Sequence, residues 1–243
     1  MSSNFSIRDI IKSYKSDKMH EELAGEWAAV AFYRWLSFVI TPLFLNTSIS
    51  ATGVTFISVL ITITLPLAVF FPQPFDFLFI GIIGIIFNVL DCVDGNLARI
   101  THNVTDLGQY SDFIADIIHR VFVYIALGLI IDKSLISDSS SLLPSEIAGI
   151  SCLLAVTGRL SRIYYDAKFV TNDSSPAKYH ACGNFKKAEN MVFSFISGID
   201  SLLPVLIIIA GYFNKLHFVL FWVFFYSLLD FFYSQFRIIR NLK

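Results

Sequence analysis

The chain has 243 residues, a formal net charge of -1 and only 15% charged residues, while hydrophobic residues make up 55%. Soluble globular chains carry roughly 45–50% apolar residues, so this composition leaves too little polar surface to cover a core and points to lipid as the solvent. The charge balance and the lack of an arginine-rich stripe exclude the electrostatic footprint of a nucleic-acid binder. Cys92, Cys152 and Cys182 are odd in number and lack metal-ligand spacing, so no disulfide framework is read from them.

Residues 1–30 carry charges throughout and have no continuous apolar run, which argues against a cleavable signal peptide and for a polar cytosolic arm. The stretch AFYRWLSFVITPLFL follows; Arg34 and Pro42 interrupt it, and the expectation is an interfacial helix lying on the membrane. Spans are expected at about 50–70, ending near Pro66 and Pro72, and at about 75–93. Further spans are expected from about Gly108, at about 143–165, at about 190–211 and at about 216–236, with a long polar loop over 166–189. The fold class is thus all-α, a polytopic bundle of six transmembrane helices with an N-terminal interfacial helix.

Six spans put both termini on one side. Placing them in the cytosol collects nearly all loop and terminal basic residues there, from Arg8 to Lys243, and leaves Lys133 and Lys215 outside. The sequons at Asn103 and Asn172 then face the cytosol and stay unmodified, and Asn46 is a third such triplet.

One string carries chemistry: Asp91, Asp94, Gly95 and Ala98 recur at intervals of three and four and so share a helix face, followed by Arg99. Gly108, Asp112 and Asp116 do the same on the next helix, and a short turn around 100–107 lays the two faces together. Four carboxylates in one volume repel unless a cation compensates them, and oxygen-rich clusters suit Mg²⁺ or Mn²⁺. The small residues leave room for a ligand or for close helix contact. Taken singly, Asp91 could end a helix and Asp112 could favour a helix N-terminus. Taken together, four acids beside long apolar spans mark a functional site, because ionisable groups are expensive in membranes.

The spacing of Asp91, Asp94, Gly95, Ala98, Arg99, Gly108, Asp112 and Asp116 resembles the signature of the CDP-alcohol phosphotransferase family at all eight fixed positions. The resemblance implies transfer of a substituted phosphate from a CDP-linked alcohol to an acceptor hydroxyl, releasing CMP. It implies a centre of two divalent ions, Mg²⁺ or Mn²⁺, held by Asp91, Asp94 and Asp112, with Asp116 as a metal-linked carboxylate and the base for the acceptor. It also implies that Gly95, Ala98 and Gly108 shape the CDP site, that Arg99 touches phosphate or holds the acidic residues, and that the assembly is a homodimer. Residues 46–240 then form a six-span catalytic domain, preceded by the arm and interfacial helix of residues 1–45.

Arg159 and Arg162 lie i,i+3 near the cytosolic end of the fourth span, where they either grip an acceptor phosphate or anchor to lipid headgroups. Arg120 is expected to pair internally with an acid, and Asp230 to need a partner. His119 has no partner spacing. Lys168, Lys178, Lys186 and Lys187 read as a solvated basic face, His180 and Cys182 form no recognisable site, and the aromatic terminal span around Trp222 reads as lipid-facing. The leading expectation is a phosphatidyltransferase that moves a phosphatidyl group from CDP-diacylglycerol to a small alcohol or alcohol phosphate at the cytosolic face of a bacterial cytoplasmic membrane or of the endoplasmic reticulum. The alternatives are a CDP-choline or CDP-ethanolamine phosphotransferase, a metal or ion transporter, and a noncatalytic membrane scaffold.

Overall fold

The structure is a computed structural model that describes residues 6–17, 19, 27–134, 143–170 and 199–242. Among these residues all regular structure is helical. A short amphipathic helix α1 (Ile7–Asp17) precedes α2 (Trp27–Leu45) and α3 (Ala51–Thr62), which continues as a 3₁₀ turn, Leu65–Phe70. Then come α4 (Phe75–Ile100), α5 (Asp106–Ser134), α6 (Pro144–Tyr165) with a π-helical extension Asp166–Val170, α7 (Leu203–Tyr212) and α8 (Leu216–Leu242).

Six stretches are long and apolar enough to cross a membrane: Trp27–Leu45, Ala51–Phe70, Phe75–Ile100, Asp106–Ser134, Pro144–Phe169 and Leu216–Leu242. The chain is therefore an integral membrane protein. Their membership differs from the expected six in two places. α2, expected to be interfacial, is a 19-residue helix whose length and composition permit a crossing, and Pro42 lies inside it without ending it. Arg34 has a packing role within this helix, since Arg34, Ser37 and Thr41 are buried on the stripe that faces α4. Of the expected fifth span, α7 is the described helix, 10 residues long. Residues 190–198 lie outside the described residues, as do Lys178, His180, Cys182, Lys186 and Lys187.

Close packing between lipid-exposed helices relies on small residues, because lipid removes the hydrophobic drive that water supplies. Gly84 of α4 shows this: a Cβ there would lie 2.7 Å from the Pro204 ring of α7. The larger core cluster joins Leu127, Ile130, Ile207 and Val223, while a second one, with Tyr33, Val54, Val89 and Val93, lies under the motif end of α4. On α8, Phe218, Phe225, Leu229, Phe232 and Phe236 form an exposed stripe at helical spacing, as expected of a lipid-facing surface.

The ends of α1 and α7 follow from local chemistry. Asp9 accepts from the Ser6 backbone N–H (2.9 Å) and hydroxyl (2.8 Å), a reciprocal N-terminal cap that holds its carboxyl below the usual pKa. At the end of α7 the left-handed residue is Asn214, and Lys215 N–H returns to Ala210 O at 2.7 Å, which turns the chain into α8.

Candidate active site

The turn that brings the two acidic stripes together is specified at both ends. α4 closes with His102 in the left-handed region; His102 N–H bonds Arg99 O at 3.1 Å and Asn103 N–H bonds Ala98 O at 2.9 Å, a Schellman pattern. Three residues later Thr105 caps α5, its hydroxyl accepting from Gly108 N–H at 3.0 Å, with Asp106 favourably placed in the first turn. The connection is therefore five residues, 101–105, and α5 starts two residues earlier than expected.

This tight reversal places carboxylate oxygens of Asp91, Asp94 and Asp112 within 4.8 Å of one another. Asp94 is buried, Asp91 half-buried and Asp112 exposed, so the group runs from the helix interface to the rim. Three converging carboxylates are a donor set that suits a hard divalent cation with coordination positions left for water or phosphate.

The cluster borders an open cleft of about 190 Å³. From α4 the cleft takes Asp94, Gly95, Ala98 and Arg99, and from α5 Gly108 and Asp112. All four residues expected at the nucleotide site are thus on its wall. Sequence reasoning missed a third wall, supplied by Ala51, Thr52 and Thr55 of α3. Thr55 Oγ1 donates to Asp94 Oδ2 at 2.5 Å, a contact that orients the carboxylate from behind. The signal was available: Thr55, Ser58 and Thr62 form a buried hydroxyl stripe on an otherwise apolar helix.

Asp116 lies outside the group of three. Its carboxylate is ion-paired with Arg159 of α6, whose guanidinium also stands 5.1 Å from the Phe113 ring. Both partners keep about a third of their side-chain exposure, which leaves the pair within reach of a small solute. Arg162, one turn further along, donates instead to Asp230 Oδ1 at 2.7 Å and to Ser234 Oγ, binding α6 to α8. Asp230 thereby has the partner that its position demands. Arg120 pairs with Asp200 at 2.6 Å, as an internal arginine should, and ties α5 to the approach of α7. His119 is buried against Phe87 (ring centroids 3.8 Å, interplanar angle 2°), with Nδ1 3.3 Å from Thr62 Oγ1, and takes no part in the acidic cluster.

A search of the curated proteins found no match. The family model for CDP-alcohol phosphatidyltransferase matches residues 48–229, more than half of the chain, from the entry of α3 into α8. The chain belongs to the CDP-alcohol phosphatidyltransferase family.

Proposed function

We propose that this protein transfers a phosphatidyl group from CDP-diacylglycerol to a small acceptor alcohol or alcohol phosphate and releases CMP, as a step of phospholipid synthesis. The observation that carries the proposal is the acidic group of Asp91, Asp94 and Asp112 on a cleft whose walls hold Gly95, Ala98, Arg99 and Gly108. The cleft opens at one end of a membrane bundle, so the acyl chains of a lipid donor can stay in hydrocarbon while its diphosphate meets the carboxylates. With α2 lying on the membrane surface and α3 and α4 crossing it, the positive-inside pattern supports a cytosolic site and cytosolic termini, in a bacterial cytoplasmic membrane or the endoplasmic reticulum. The assembly we propose is a homodimer.

Asp91, Asp94 and Asp112 would hold Mg²⁺ or Mn²⁺, most simply as a pair of ions, with Asp116 adjacent. Bound there, the metal supplies charge neutralisation for the diphosphate and for the CMP leaving group. Gly95, Ala98 and Gly108 keep the wall low enough for the nucleotide, and Arg99 faces its phosphates. The acceptor oxygen forms a bond to the β-phosphorus as the bond from that phosphorus to the bridging oxygen breaks, and CMP departs with that oxygen. Asp116 takes the hydroxyl proton. For this the Arg159 guanidinium exchanges partners, and an anionic group on the acceptor is its natural replacement. Arg162, held by Asp230 and Ser234, supports this end of α6 and stands as the secondary acceptor candidate.

The test is a panel in which purified protein receives CDP-diacylglycerol or CDP-aminoalcohol donors crossed with candidate acceptors, with CMP assay and mass analysis of the lipid. A phosphatidyl-alcohol made only with divalent metal supports the proposal. A product made only from CDP-choline or CDP-ethanolamine reassigns the donor. Metal flux in proteoliposomes with no CMP from any pair would favour a transporter.

A further inference from the structure

The family match begins at residue 48 and leaves α2 outside it, yet α2 meets the motif helix through a polar contact. At its centre is Asn96, an unspecified position of the motif between Gly95 and Ala98, 2% exposed. Its amide nitrogen donates to Ser37 Oγ at 3.1 Å and to Thr41 Oγ1 at 3.2 Å, both on α2. Its Oδ1 accepts from Arg99 at 2.9 Å and, at 3.5 Å, from Arg34.

The hydroxyl groups decide which way this amide points. Ser37 commits its only proton to Arg34 O (2.8 Å) and Thr41 commits its own to Ser37 O (2.7 Å). Both oxygens can then only accept, so the Asn96 nitrogen must face α2 and its oxygen must face the arginines. Arg34 backs the arrangement from a fixed position, bonded to Cys92 O at 3.1 Å and lying 5.0 Å from the Tyr14 ring of α1. Arg99, which donates to the amide oxygen, lies over Gly95, where a Cβ would come within 3.3 Å of both terminal guanidinium nitrogens, and it lines the cleft. A residue that only filled space at position 96 would need none of these four contacts.

We propose that Asn96 is a positioning residue which, oriented by Ser37 and Thr41 of α2, fixes the Arg99 guanidinium in the cleft to receive the diphosphate of the CDP donor. The proposal rests on the reading of the cleft as the donor site. It makes α2 a working part of that site. With both hydroxyls gone the buried amide nitrogen loses its two acceptors and the side chain loses its anchor on α2, so its oxygen no longer holds Arg99 from a fixed position. Arg99 then leaves its place, and a diphosphate loses a charge-assisted partner.

The experiment measures CDP binding, by calorimetry with Mg²⁺ present, to the purified full chain and to the double variant Ser37→Ala/Thr41→Val. Affinity should fall about tenfold, the size expected for losing one hydrogen bond to a charged group. Donor KM should rise by the same factor, while kcat and acceptor KM stay put. The hydroxyl-retaining swap Ser37→Thr/Thr41→Ser should bind as the wild type does. Adding Arg99→Met to the double variant should weaken CDP no further than Arg99→Met alone, because the two changes remove one interaction. If the double variant does not purify, Ser37→Ala alone should show the same coupling to Arg99→Met. Wild-type affinity in the α2 variant, or losses that add fully to that of Arg99→Met, would overturn the proposal and leave the donor site standing. Failure of the wild type itself to bind CDP would remove the donor reading and this proposal with it.

Discussion

Asp91, Asp94 and Asp112 converge on one another between α4 and α5, whereas Asp116, Asp200 and Asp230 each meet an arginine from another part of the bundle. The two groups contain the same side chain in the same membrane domain and do different things. An arginine pair neutralises its carboxylate and joins two elements, so its effect is on cohesion. A convergence of three carboxylates concentrates like charge at a cleft, which a divalent cation relieves, so its effect is on ligand binding. Asp116 stands between the groups. It belongs to the motif by spacing and to the paired set by contact.

The sharpest test of the comparison is to remove charge from the converging group. Asp112→Asn is expected to lower CMP release by about 10²–10³-fold, the range for losing an electrostatic contributor to a transition state, without altering elution of the folded protein in detergent. Chelation should abolish the wild-type reaction and added Mn²⁺ or Mg²⁺ restore it. Unchanged turnover in the variant would place Asp112 among residues that merely tolerate the cleft.

The paired group should respond in the opposite way. Arg162→Met strands the largely buried Asp230 and is expected to cost about 3–5 kcal/mol of stability, read as a lower melting temperature. Arg162→Met/Asp230→Leu should recover most of it, since replacing both charges with apolar groups is often neutral. The metal concentration giving half-maximal activity should not move in the double variant, and a large shift would merge the two groups.

Thr55 sharpens the comparison from behind the cluster. Thr55→Val keeps the shape and deletes the donor to Asp94, so the Mn²⁺ needed for half-occupancy, counted by electron paramagnetic resonance, should rise about 10-fold or more. Thr55→Ser should restore it. Equal occupancy curves would show that Asp94 needs no orientation.

The smallest effect belongs to Asp9, an exposed carboxylate in neither group. Its folded pKa is depressed by the Ser6 backbone and hydroxyl, so its stabilising effect is present above the usual carboxylate pKa and fades as pH falls through the folded value. Protection factors over residues 7–17, taken against intrinsic exchange at each pH, should fall on acidification in the wild type, and Asp9→Asn should be less protected at neutral pH and lose that dependence.

The acidic stripes were legible because a helix repeats every three to four residues, and Asp91, Asp94, Gly95 and Ala98 obey that repeat within one continuous helix, α4. The 101–105 turn was nearly legible too, since Thr105 before Asp106 is a helix start. At α2 the sequence showed Arg34 and Pro42 in an apolar run but not the neighbour, α4, against which Arg34 is buried. Thr55 carried a readable stripe that a search for acids passes over. Asn96 carried none, because nothing local says that an amide will meet two hydroxyls 59 and 55 residues earlier in the chain.

Composition, hydropathy and spacing by themselves determined that this is a helical membrane protein and which two helices carry the acidic face, since those properties are set by solvent and by periodicity within a helix. Tertiary structure alone decided that Asp91, Asp94 and Asp112 converge and that Asp116, Asp200 and Asp230 each meet an arginine. It also decided that α3 forms a wall of the cleft and that α2 reaches Arg99 through Asn96. Those outcomes depend on how helices distant in sequence pack, and on hydrogen bonds between side chains that no single helix contains.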